Sequence, residues 1–122
     1  MQHTGASILA CLGMAYLQPS VENLLFMKNT ADKLFGKDCV WSVLPTGRHE
    51  FNLCTVGAIM GGNIRVGMED NLYLGKGALA KNNAEMVAKM ARILKELDFE
   101  LVTPQETRAI LKLKGKEHTS FK

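Results

Sequence analysis

Gly61-Gly62-Asn63-Ile64-Arg65-Val66-Gly67-Met68-Glu69-Asp70-Asn71 is the stretch on which the reading of this 122-residue chain turns. A glycine pair closes a helical segment. Ile64 to Met68 then forms a short apolar run with strand character, and a charged loop follows at once. In an alternating strand Arg65, Gly67 and Glu69 point the same way, because side chains repeat every second residue. Asp70 and Asn71 start the loop past the strand's C-terminal end, and in a parallel α/β sheet that end is where ligands bind. One segment therefore sets a cation, two carboxylates and an amide where chemistry is expected. The plainer reading of the same residues is a salt-bridged strand end.

Outward from this segment the chain alternates strand and helix signals. Ile8 to Ala15 is an apolar run before Pro19 and reads as a buried strand. Ser20 can cap a helix with Leu24, Met27, Ala31 and Leu34 on one face, stopping at Gly36. Cys39 to Leu44 is rich in strand formers and is bounded by Pro45 and Gly47. A helix is expected from near His49 to Met60, with Phe51, Val56 and Ile59 inward. Beyond the central segment, Asn82 and Glu85 have capping-box spacing, and Ala84, Val87, Ala91, Leu94 and Leu97 form a helical stripe. Thr103-Pro104-Gln105-Glu106 is a stronger helix start, leading to Ile110, Leu111 and Leu113 before Gly115.

The pattern is α/β, built of parallel βαβ units. Parallel strands need both faces covered, and three strands with helices on one side leave a face bare. The chain therefore reads as part of a larger sheet, either a barrel sector or half of a doubly wound domain. A barrel typically needs about 250 residues, roughly twice this length.

Composition excludes several classes. The chain is 47% hydrophobic and 22% charged, an ordinary globular balance. Fifteen basic against 12 acidic residues give a net charge of +3, too mild to imply nucleic acid. Lys112, Lys114, Lys116 and Lys122 read as a solvated end. No apolar run reaches the roughly 18 residues of a membrane span, and the start lacks the basic region of a signal peptide. The odd set Cys11, Cys39 and Cys54 fits neither a zinc ribbon nor a redox pair, so all three are expected in the core of a cytoplasmic protein. Trp41, inside the second strand, is read as core rather than as a substrate platform.

Gly47-Arg48-His49, then GGNIRVGMEDNLYLGKGALAKNNAEMV (61–87), then VTPQETRAIL (102–111), resembles the C-terminal third of the β-keto acid cleavage enzymes. The best-known member of that family is the 3-keto-5-aminohexanoate cleavage enzyme of lysine fermentation. The resemblance runs from about Leu12 to Leu113. It implies a (β/α)8 TIM barrel of which residues 1–122 are the C-terminal segment, its strands being the last three. It implies a divalent metal, usually zinc, and cleavage of a small β-keto acid with acetyl-CoA to give acetoacetate and a new CoA thioester. It further implies a homo-oligomer, a tetramer by the family's habit.

Residue by residue, the resemblance makes Glu69 the carboxylate metal ligand, Asp70 the residue that abstracts a proton, and Arg65 the cation beside it. The chemistry agrees: a metal can stabilise charge on a keto oxygen, and cleavage beside a ketone needs a positioned base. Pro45-Thr46-Gly47-Arg48 precedes a helix, so its amides and Arg48 could hold a CoA phosphate; alternatively Gly47 makes a turn and Arg48 is a surface residue. His49 matches a His of the family's Gly-Arg-His segment and is read as capping or structural. The departures are also specific. The family's His-x-His metal pair does not occur, since His3, His49 and His118 stand far apart, and Asn63 stands where the family often has His. One glutamate cannot hold a catalytic zinc that wants three protein ligands. The alternative to an enzyme segment is thus a non-catalytic barrel remnant or assembly partner.

Overall fold

The computed structural model describes residues 7–13, 17–36 and 39–113. Three strands, β1 (Ser7–Leu12), β2 (Val40–Pro45) and β3 (Asn63–Ile64), form one sheet in the order β1-β2-β3. Both pairings are parallel, with Ile8 opposite Trp41, Ala10 opposite Val43, and Val43 opposite Ile64. Helix α1 (Val21–Phe35) crosses from β1 to β2, and α2 (Glu50–Ile59) crosses from β2 to β3. The expected βαβ units are therefore present. The expected strand end at Ala15 falls on residues 14–16, outside the described ones, as do Gly115, His3, His118 and three of the tail lysines.

The caps explain where the helices start. Ser20 Oγ accepts the Asn23 N–H at 3.2 Å, and α1 ends at Gly36, whose φ of 80° suits a residue without a side chain. Helix α3 (Asn83–Glu96) starts on Asn82, whose side chain accepts the Glu85 N–H at 3.0 Å. The Glu85 carboxylate reaches one residue further back than a capping box requires, accepting the Lys81 N–H. Helix α4 (Pro104–Ile110) carries a complete capping box between Thr103 and Glu106, with Pro104 at its first position.

The core lies between the sheet and α1, α2 and α3, around Leu12, Leu24, Val43, Cys54, Met86 and Met90. Trp41 is buried there as expected, with Lys28 Nζ 5.5 Å from its ring centroid. Of the three cysteines only Cys54 is buried; Cys11 and Cys39 are half-buried. Met86 has no exposed surface. Met86→Ala is expected to cost about 2–5 kcal/mol in a urea titration, the usual cost of truncating a fully packed side chain. A loss under about 1 kcal/mol would show that the helix is not held by this residue.

Four sequence expectations are corrected. Leu34 is 69% exposed and Ile59 is 63% exposed, so neither faces the core. In α2 Phe51 is buried as expected, and the rest of its buried face is Glu50, Leu53, Cys54 and Gly57. In α3 the buried stripe is Met86, Met90 and Leu94; of the expected stripe Leu94 is buried, whereas Ala84, Val87 and Leu97 are exposed. The helix has two apolar stripes, and the described residues cover the methionine one. Val87 and Ala91 line an open groove with Ile64, Val66 and Leu101. The third strand is two residues long rather than five, followed by one more ladder bond from Arg65 N–H to Val43 O at 3.1 Å. Finally, the loop before α3 contains an antiparallel hairpin, β4 (Tyr73–Gly75) and β5 (Ala78–Leu79). No described helix is long and apolar enough to cross a membrane.

Candidate functional site

The C-terminal ends of the three strands converge because their loops are bonded to one another. Thr46 N–H donates to Leu12 O at 2.9 Å, and Gly47 N–H donates to Asp70 O at 2.8 Å. Gly13, at φ 115°, lets the first loop pass beneath the second: a Cβ there would lie 2.0 Å from Thr46 Oγ1. The loop after β3 is thus tied to the loop after β2, and a shallow depression of about 350 Å³ opens between them, lined by Gly47, Arg48, Glu69, Asp70 and Tyr73 among others.

Arg65, Glu69 and Asp70 meet at this edge. The Arg65 guanidinium pairs with Glu69 Oε1 and lies 3.4 Å from Asp70 Oδ2. Arg65 and Glu69 meet through a turn and not through the alternation of a strand. Asp70 and Asn71 N–H both donate to Gly67 O at 3.1 Å, so residues 67–71 fold back and Glu69 meets Arg65 across four residues. Arg65 and Glu69 are solvated. The Asp70 side chain is mostly buried, and its Oδ2 has no hydrogen-bond partner among the described residues. Its own backbone N–H and Arg65 hold the Glu69 carboxyl below the ordinary carboxylate range. The bond to Glu69 raises the Arg65 guanidinium further above neutrality.

Two buried residues support the loop from beneath: Glu50, to which no role was assigned from sequence, and Cys54, expected in the core. Glu50 has no exposed surface. Its Oε1 accepts the Gly67 N–H at 2.9 Å and its Oε2 accepts from Asn71 Nδ2 at 3.1 Å. Burial pushes its carboxyl up, against the downward pull of these bonds. The available signal was position: Glu50, Leu53, Cys54 and Gly57 share one helical face, and a glutamate on an otherwise apolar face is a conspicuous exception. Cys54 Sγ donates to Arg65 O at 3.4 Å. Burial first, then the Glu50 charge, pushes its thiol up to about 12, so it does not serve as a thiolate nucleophile.

Arg48 lies in the 3-10 turn Gly47–His49 that leads into α2. It is exposed, and its Nε donates to His49 Nε2 at 3.1 Å. His49 makes no capping bond with its side chain, so the capping role expected for it is not seen; it is a structural partner of Arg48. Arg48 also borders a cleft of about 530 Å³ walled by Phe51, Tyr73, Lys76 and Lys89. Lys89 Nζ donates to Leu74 O, which ties the hairpin to α3, and lies 4.0 Å from the ring centroid of Phe51 on α2.

Residues 3–113 match the family model of the β-keto acid cleavage enzymes. The chain belongs to the β-keto acid cleavage enzyme family. Within it, the chain is 42% identical over 115 residues to the 3,5-dioxohexanoate:acetyl-CoA acetone transferase of Paraburkholderia graminis, covering 94% of this chain and 36% of that protein. It is 42% identical over 98 residues to the 3-keto-5-aminohexanoate cleavage enzyme of Fusobacterium nucleatum, covering 80% of this chain and 35% of that protein. It is 33% identical over 107 residues to the 3-dehydrocarnitine:acetyl-CoA trimethylamine transferase of Rhizobium meliloti, covering 87% and 34%. The chain thus spans about a third of the length of these β-keto acid cleavage enzymes. Among the described residues no three His, Cys, Asp or Glu side chains stand together as a metal site. A full zinc set does not fit here; a single carboxylate contribution from Glu69 does.

Proposed function

We propose that the protein carrying this chain cleaves a small β-keto acid with acetyl-CoA, and that this segment supplies the last three strands of its (β/α)8 barrel. In the exchange, the bond between the keto carbon and the CH₂ of the acid breaks. The acetyl group joins that CH₂ to make acetoacetate, and the released acyl group takes its place on the CoA sulfur. A 3-keto-5-aminohexanoate-like acid is the substrate we favour. The observation that carries the reading is the Asp70 oxygen, buried without a hydrogen-bond partner among the described residues and facing the Arg65 guanidinium.

Each residue then has a task. Asp70 takes and returns the proton at the reacting carbon, since a base must lie within hydrogen-bond reach and hold no competing bond. Arg65 keeps Asp70 and Glu69 aimed at one edge and offers its remaining N–H groups to a substrate carboxylate or keto oxygen. Glu69 serves as one ligand of a zinc ion completed by residues beyond this chain. When bound, such a metal polarises the keto oxygen and stabilises the charge that develops there. Arg48, at the helix entrance beside the cleft, contacts a CoA phosphate.

The test is to supply the full-length protein with a β-keto acid and acetyl-CoA and to follow acetoacetate and the new thioester together. We expect both products in equal amounts. Arg65→Lys is expected to lower kcat/KM by roughly 10-fold or more, because a point ammonium cannot replace the planar fork between two carboxylates. A second reading, a barrel remnant without chemistry, draws on the incomplete ligand set among the described residues. It predicts no acetoacetate at all.

A further inference from the structure

Glu50 is the feature the chemistry above leaves unused. A fully buried carboxylate is costly unless its oxygens are satisfied, and here no described cation pairs with it. Both oxygens are spent on the loop after β3 instead: one on the Gly67 N–H, where the turn begins, the other on the Asn71 amide, where it ends. Asn71 in turn brackets Tyr73, accepting its N–H at 3.0 Å and donating to its C=O at 2.7 Å. One carboxylate on a rigid helix therefore clamps both ends of the five-residue turn that carries Glu69 and Asp70, and through Asn71 the start of the hairpin.

We propose that Glu50 is a positioning residue for the Arg65–Asp70 pair, acting through Gly67 and Asn71 to hold Asp70 toward Arg65. This rests on the proposed role of Asp70. The geometry makes the claim specific. Gly47 N–H also holds Asp70 O at 2.8 Å and Asn83 Oδ1 accepts the Met68 N–H at 2.7 Å, but both ends of the turn rest on Glu50; among the described residues β1 and β2 share no hydrogen bond with it, so losing its two bonds loosens 67–71 and leaves the sheet in place. A misplacement of about 1 Å at a reacting group can cost on the order of 100-fold in rate.

The experiment uses the full-length protein and two variants. Glu50→Gln keeps size and shape but offers one acceptor where two donors converge, so one of the two bonds is lost in either amide orientation. Asn71→Leu removes the other partner of the same contact. In both, hydrogen–deuterium exchange over 65–73 is expected to rise about 10-fold, as expected for one lost buried bond. Exchange in β1 and β2 is expected to stay unchanged. Turnover is expected to fall about 10-fold or more, with KM for acetyl-CoA within about twofold. The double variant is expected to be no worse than the poorer single one, since both act on one network. Unchanged exchange over 65–73 would overturn the proposal. So would faster exchange with full turnover, equal loosening throughout the chain, or failure of both variants to fold. Asp70→Asn measured alongside separates the two claims. Full activity in that variant sinks the role of Asp70, whereas an inactive Asp70→Asn beside a fully active Glu50→Gln sinks the role of Glu50 alone.

Discussion

Asp70→Asn is expected to lower turnover by roughly 100-fold or more while leaving metal content unchanged, the usual scale for a lost general base. The substitution is nearly isosteric. An amide oxygen can still face Arg65 at about the same distance, so the turn and the ion pair between Arg65 and Glu69 have no reason to move. What is lost is the carboxylate's basicity, together with its charge opposite Arg65. The structure makes the expectation sharp, because Oδ2 is buried and meets no competing donor among the described residues other than the Arg65 charge. Steady-state kinetics beside metal analysis decides the matter. Turnover within about threefold of the parent would remove Asp70 from the chemistry, since a base contributes far more than that.

Glu69→Gln is expected to weaken zinc binding by about 100-fold or more, at least the loss seen when a residue merely supporting a metal ligand is replaced. The loop leaves Glu69 solvated and holds its carboxyl below the ordinary range, so it is an anion throughout neutral pH. A glutamine keeps the shape and removes the charge. Competition against a chelator reads the affinity directly. The close approach of Gly67 to the Glu69 carboxylate adds a geometric point: a Cβ at residue 67 would lie 2.2 Å from Glu69 Oε2. The side chain curls over a residue that only glycine fits without displacing it. If zinc affinity survives in Glu69→Gln, the carboxylate is a partner of Arg65 and nothing more.

The candidate site was legible where its residues are neighbours in the chain and obscure where they are not. Arg65, Glu69 and Asp70 lie within six residues, so any compact conformation of this segment keeps them close. What joins them, however, is not the pleat of a strand over Ile64–Met68 but a turn at Gly67. The strand stops because the Gly67 N–H, free to continue a ladder, is taken by Glu50 from the helix below. The hairpin between Tyr73 and Leu79 leaves no mark in the sequence, because strands of two and three residues carry too little alternation.

By itself the sequence determined the order of the three parallel strands and the four helices, and the helix starts that depend on local side chains. Ser20, Asn82 and Thr103 each cap the helix that follows, because a capping oxygen and its amide are three residues apart and need nothing else. It also determined the family, through the segment from Gly61 to Val87. Only the tertiary structure decided which apolar stripe of α3 is covered, which side of α2 faces the sheet, and that Glu50 holds the loop. A stripe states that a helix has an apolar side, not which neighbour arrives to cover it. The partners of Glu50 lie 17 and 21 residues away along the chain, and only folding brings a buried acceptor to two distant donors.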